Sequence, residues 1–137
     1  MNFSGSILLV DDEAHIRKFI SLLLRHLGMR NIFEAKNGVE ALEVFQRERP
    51  DLVMLDVNMP VLDGIQTLRE LKRIDPDCVV IMLTSLVNRQ TIDEASAYGA
   101  ANYIRKDAPF EEIGRTLSET IEEFVEPRRS DKGGGAG

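Results

Sequence analysis

The sequence predicts an α/β protein of the (βα)5 class, a doubly wound, five-stranded parallel sheet forming a single domain. Two observations predict it. Five short apolar runs recur along the chain, and three are nearly continuous in Val, Ile and Leu, as strands buried on both faces are. Between them lie segments whose apolar residues recur at three- and four-residue steps, the signature of helices with one buried face. Strand-helix alternation builds βαβ units, and right-handed crossovers then force parallel strands with helices on both faces. A chain of 137 residues suits one such domain.

Each element has its own justification. Ile7-Leu8-Leu9-Val10 is the first strand, and Ile16, Phe19, Leu23 and Leu27 mark the first helix, which Gly28 ends. Ile32-Phe33 centres the second strand. Asn37-Gly38 opens a second helix marked by Leu42 and Phe45, which stops at Pro50. Leu52-Val53-Met54-Leu55 is the third strand, Ile65, Leu68 and Leu71 the third helix, and Pro76 its stop. Residues 79–83 form the fourth strand. Residues 88–98 form the weakest helix, since only Ile92, Ala95 and a few small residues face inward. Residues 101–104 are the fifth strand, and Phe110, Ile113, Leu117, Ile121 and Phe124 line the final helix. The domain is read as residues 1–126, with 127–137 a flexible glycine-rich tail or linker stub.

Composition narrows the function. The net charge is -6, from 23 acidic and 17 basic residues, which disfavours binding nucleic acid through phosphate neutralisation. The one cysteine, Cys78, cannot form an internal disulfide and reads as an inert core thiol. No apolar run approaches the ~20 residues of a membrane span, and the first residues lack a signal-peptide pattern. A cytoplasmic protein without membrane contact is expected.

In an open parallel sheet the ligand site lies beyond the carboxyl ends of the strands. The first strand delivers Asp11 and Asp12 there, the third Asp56, the fourth Thr84 and the fifth Lys106. The second delivers Glu34-Ala35-Lys36, to which no role is assigned. Three carboxylates crowded together raise one another's pKa unless a counter-charge is present. A few carboxylates with open water positions suit Mg²⁺, and Lys106 adds a fixed positive charge. Such a group can accept a phosphoryl group on one carboxylate while cations and a hydroxyl hold its oxygens.

These strand-end residues resemble those of the receiver domains of two-component response regulators, the CheY-like family. Further marks are Lys36-Asn37-Gly38-Val39-Glu40-Ala41-Leu42, Met59-Pro60, Asp63-Gly64 and Gly99-Ala100-Ala101-Asn102-Tyr103. The resemblance covers roughly residues 6–125 and implies the strand order 2-1-3-4-5, for which CheY is a standard example. It implies that Asp56 is the phosphoacceptor. Asp12 and Asp56 would ligate Mg²⁺ directly, Asp11 would act mainly through water, and the backbone carbonyl of Asn58 would complete the set. Lys106 and Thr84 would contact the phosphoryl group, and Thr84 with Tyr103 would form the switch. Asn58 and Leu86 would tune the phosphoryl lifetime.

The implied protein is a signalling domain rather than an enzyme in its own right, catalysing only its own phosphorylation and dephosphorylation. Its partners would be a histidine kinase or phosphotransfer protein and a downstream protein target. The target would meet the weak helix after Thr84, the fifth strand and the final helix. Monomer and phosphorylation-dependent dimer both stay open, as do a stand-alone receiver and one cut from a longer regulator. The alternative is a phosphorylation-independent pseudo-receiver that acts as an interaction module. One departure concerns the loop after Lys106, where many receivers carry proline and this chain has Asp107.

Overall fold

A computed structural model describes residues 3–85 and 88–129. The elements are β1 (Ser6–Val10), α1 (Ala14–His26), β2 (Asn31–Ala35), α2 (Gly38–Glu48), β3 (Leu52–Asp56) and α3 (Gly64–Ile74). They continue with β4 (Val80–Thr84), α4 (Arg89–Ala97), β5 (Asn102–Arg105) and α5 (Phe110–Thr120), which runs into a π-helical turn at Ile121–Val125. The sheet is wholly parallel, in the order β2-β1-β3-β4-β5. That is the doubly wound architecture expected from the sequence.

Every residue of β3 and β4 is buried, which explains their unbroken apolar runs. Alternate residues feed two cores. Ile7, Leu9, Met54, Ile81 and Leu83 meet Ile20 and Leu24 of α1 and Ile113 and Leu117 of α5. Leu8, Val10, Val53, Leu55 and Met82 meet Phe45 of α2, Leu68 and Leu71 of α3 and Ala95 of α4. Local signals set the helix starts. The Asn37 side chain accepts from the Glu40 N–H at 2.8 Å, and Asp63 forms a reciprocal capping box with Gln66. Gly28 ends α1 with a positive φ of 96°, a conformation that glycine takes without a Cβ penalty.

The helix faces need correction in places. Phe19 is 53% exposed, because the buried stripe of α1 runs through Ile20, Leu23 and Leu24 and leaves Phe19 on its flank. Phe124 is also exposed, since the π turn brings Val125 inward in its place while Ile121 stays on the buried face as expected. Phe110 is exposed as well and packs edge-on against the His26 ring at 5.2 Å. α4 is as thin as expected, with Ala95 its one buried residue.

The domain also extends past the boundary read at Glu126. Residues 126–129 are helical. Arg128 ion-pairs with Asp75 and donates to the Asp77 carbonyl at 2.9 Å. Arg129 lies 3.8 Å from Asp51, and its guanidinium sits over the Phe3 ring. These contacts carry residues 127–129 onto the domain, where composition alone reads as tail. Residues 130–137, the rest of that tail, lie outside the described residues. Among the described residues no helix is long and apolar enough to cross a membrane.

Candidate functional site

The register of the sheet assembles the site. Val10 of β1 pairs with Leu55 of β3, so Asp11 and Asp56 follow side by side as their strands end. Asp56 itself pairs with Leu83 of β4, and Thr84 with Arg105 of β5. The Lys106 N–H then donates to the Thr84 carbonyl at 2.9 Å, which places the lysine at the same edge. Four strands thus deliver Asp11, Asp12, Asp56, Thr84 and Lys106 to one end of the sheet. The topology that sequence reasoning anticipates puts them there.

Carboxylate oxygens of Asp11, Asp12 and Asp56 lie within 4.8 Å of one another. Asp11 and Asp56 are buried, at 0% and 2% exposure, whereas Asp12 is exposed. Lys106 Nζ lies 2.7 Å from Asp11 Oδ2 and 3.1 Å from Asp56 Oδ1. Asp11 Oδ1 accepts from the Glu13 N–H at 2.9 Å, and Asp56 Oδ1 from the Asn58 N–H at 3.2 Å. Asp56 Oδ2 is buried with no hydrogen-bond partner among the described residues.

The electrostatics follow from this crowding. Burial, and next the Asp11 charge, push the Asp56 carboxyl from its ordinary 3.8 up to about 7, although Lys106 pulls the other way. Burial works against the Lys106 ammonium too, but hydrogen bonding to Asp11 and the charge of Asp56 outweigh it and raise its pKa. One ammonium cannot balance three carboxylates. The donor set therefore fits a hard divalent cation: all oxygen, close together, with one buried oxygen lacking a partner and one carboxylate open to solvent. A cavity of about 510 Å³ opens at Asp12, between Lys36, Gly38 and Val39 on one side and Pro60 and Val61 on the other.

The other sequence-derived residues fall as follows. Thr84 is buried, and with Tyr103 it lines a small cavity under α4 and α5. The Tyr103 hydroxyl donates to the Ile92 carbonyl at 2.9 Å and contacts Ser96 Oγ, tying β5 to α4. Asn58 is exposed beside Asp56. Leu86 lies outside the described residues. No peptide bond among the described residues is cis, so Lys106–Asp107 is trans. Cys78 is buried, and burial lifts its thiol to about 11.

Sequence reasoning missed Arg17. From α1 its Nη1 donates to the Asp11 carbonyl at 2.7 Å, and its Nε lies 3.3 Å from Glu34 of β2. The available signal was an arginine one turn into the helix that follows the paired aspartates.

With this fold and site in place, the family is settled. The chain belongs to the response regulator receiver domain family, whose family model matches residues 7–118. It is 37% identical over 116 residues to the chemotaxis protein CheY of Bacillus subtilis, covering 82% of this chain and 97% of that one. Sporulation initiation phosphotransferase F of the same organism is 37% identical over 107 residues, covering 78% and 86%. Among solved structures, the Vibrio cholerae chemotaxis protein CheY4 superposes with a TM-score of 0.80 at 29% identity, covering 86% of this chain and 99% of that one. Brucella abortus NtrX gives a TM-score of 0.86 at 27% identity, where this chain covers 29% of the longer protein.

Proposed function

We propose that the protein is a phosphoacceptor that takes a phosphoryl group on Asp56 and signals through its α4, β5 and α5 face. The observation that carries this is the Asp56 carboxylate, held at a strand end by Lys106 and Asn58 on Oδ1 while Oδ2 has no partner. The donor is a phosphohistidine on a histidine kinase or phosphotransfer protein. An Asp56 oxygen forms the new O–P bond as the N–P bond breaks, and the departing electron pair stays on the donor imidazole, which picks up a proton.

Asp11, Asp12 and Asp56, with the Asn58 carbonyl, would hold Mg²⁺. When bound, that ion supplies positive charge against both the carboxylates and the phosphoryl oxygens. Lys106 holds a phosphoryl oxygen from the β5 side. The Thr84 hydroxyl donates to another, which moves the end of β4 and releases Tyr103 to turn inward. Asn58 and Leu86 flank the path of a hydrolytic water and set the lifetime. The modification adds about 1.5 to 2 negative charges, enough to bias a two-state element such as the thin α4.

Output is then a change in protein binding, with the domain a monomer or a phosphorylation-dependent dimer and its setting the cytoplasm. Intact mass after incubation with acetyl phosphate tests the reading. A gain of one phosphoryl group is expected with Mg²⁺, and none without it or in Asp56→Asn. An adduct that persists in Asp56→Asn overturns the assignment, and no adduct in any sample favours a pseudo-receiver.

A further inference from the structure

The Asp12 side chain makes no hydrogen bond or ion pair with any described residue, so its place depends on the backbone that carries it. That backbone is gripped from outside the loop at Asp11, on its carbonyl and on its N–H. Arg17 Nη1 donates to the Asp11 carbonyl at 2.7 Å, while Nε of the same guanidinium faces Glu34 at 3.3 Å. The Asp11 carbonyl and the Asp12 N–H belong to one rigid peptide plane, so a donor on that oxygen fixes the plane leading into Asp12. The Asp11 N–H is fixed in turn by the Ala35 carbonyl at 3.1 Å, and Glu34 precedes Ala35 on β2. Arg17 therefore links α1, the acidic turn and β2 in one fork.

We propose that Arg17, braced by Glu34, is a positioning residue that sets the affinity of the acidic site for its divalent cation. The inference rests on the reading of Asp11, Asp12 and Asp56 as the metal site. Glu34, the strand-end acid without an assigned role, then has one: it aims the guanidinium. Charge alone is a poor account of Arg17. Its neighbour Glu34 offsets the guanidinium, and a single positive charge near a cation site would weaken binding rather than support it. Geometry is the better account, because the planar guanidinium donates to the Asp11 carbonyl while ion-pairing with Glu34 in another direction, and a lysine ammonium does not reproduce that fork. The partners that orient metal ligands are typically worth about 10- to 100-fold in metal affinity.

The test titrates the 137-residue protein with Mn²⁺, counting free ion by electron paramagnetic resonance and checking each variant's fold by circular dichroism. Arg17→Lys, which keeps the charge, is expected to bind at least about tenfold more weakly than wild type. The charge-neutral pair Arg17→Ala with Glu34→Ala should lose a similar factor. Faster amide exchange at Glu13 in the metal-free Arg17→Lys variant should accompany the loss. Wild-type affinity in both variants overturns the proposal, as does tighter binding in Arg17→Ala with Arg17→Lys unchanged. Asp12→Ala is the control. If it lowers affinity while Arg17→Lys does not, positioning alone fails. If wild type and Asp12→Ala bind Mn²⁺ equally, the metal site itself is misassigned and the proposal falls with it.

Discussion

Gly64 closes directly onto Asp56: a Cβ on Gly64 would stand 2.2 Å from the Asp56 carbonyl oxygen and 2.7 Å from the Val57 Cα. The Gly64 N–H also donates to the Val57 carbonyl at 2.9 Å, so α3 starts hard against the end of β3. Both obstacles are backbone atoms, which cannot swing aside as a flexible side chain can.

Gly64→Ala is therefore expected to cost about 1–3 kcal/mol in urea unfolding, the range for overpacking a tight contact. It should also slow phosphorylation from acetyl phosphate, because the shift it forces falls on the Asp56–Val57 peptide itself. Unchanged stability would mean the loop has room that the structure does not show.

The raised carboxyl of Asp56 makes metal-free stability depend on pH. In the folded protein it holds its proton up to about 7, whereas unfolded it releases it near 3.8. Unfolding between those values sheds a proton, so stability falls as pH rises through the window and levels off above it. The full difference is on the order of 4 kcal/mol. Asp56→Asn lacks the titrating group, so its advantage over wild type should grow from pH 4 to pH 8 in chelator. Thermal melts of the two proteins check this, and parallel curves would count against it.

Cys78 should be silent to thiol reagents at pH 8 in the folded state. It is 2% exposed, and burial lifts its thiol from 9.0 to about 11. Labelling should follow opening of the fold and not free thiolate chemistry. The same shift removes stability above pH 9, where the unfolded thiol ionises and the folded one does not. Rapid labelling of native protein at pH 8 would contradict the burial.

Arg128→Ala should loosen the end of the final helix. The guanidinium serves both Asp75 and the Asp77 carbonyl, and the Arg128 and Asp75 side chains are 23% and 18% exposed. A loss of about 1–2 kcal/mol is expected, with faster amide exchange across residues 121–129. Exchange unchanged there would show that apolar packing of Ile121 and Val125 suffices.

Much of this was legible in the chain because the fold and the site obey the same rule. Buried strands read as apolar runs, and the residue after each run is where chemistry collects, so Asp11, Asp56, Thr84 and Lys106 came out together. What stayed hidden depends on angle and distance. Phe19 and Ile20 are adjacent in sequence, and only packing decides which one turns inward. Arg17 reaches a main-chain carbonyl, and no side-chain pattern advertises such a partner. Arg128 and Arg129 sit in a stretch whose composition reads as linker, and their acceptors, Asp75, Asp77 and Asp51, lie far away in sequence.

The uneven packing of the fourth βα unit has a mechanical meaning. All five residues of β4 are buried, whereas α4 sinks a single alanine. Thr84 stands at the last position of that strand. A force applied there meets a stiff slab on one side and a compliant panel on the other, and displacement goes to the compliant side. Under the proposed phosphorylation β4 would serve as a rigid chassis and α4 as its sprung door, with the Tyr103 hydroxyl, bonded to the Ile92 carbonyl, as the latch that is let go.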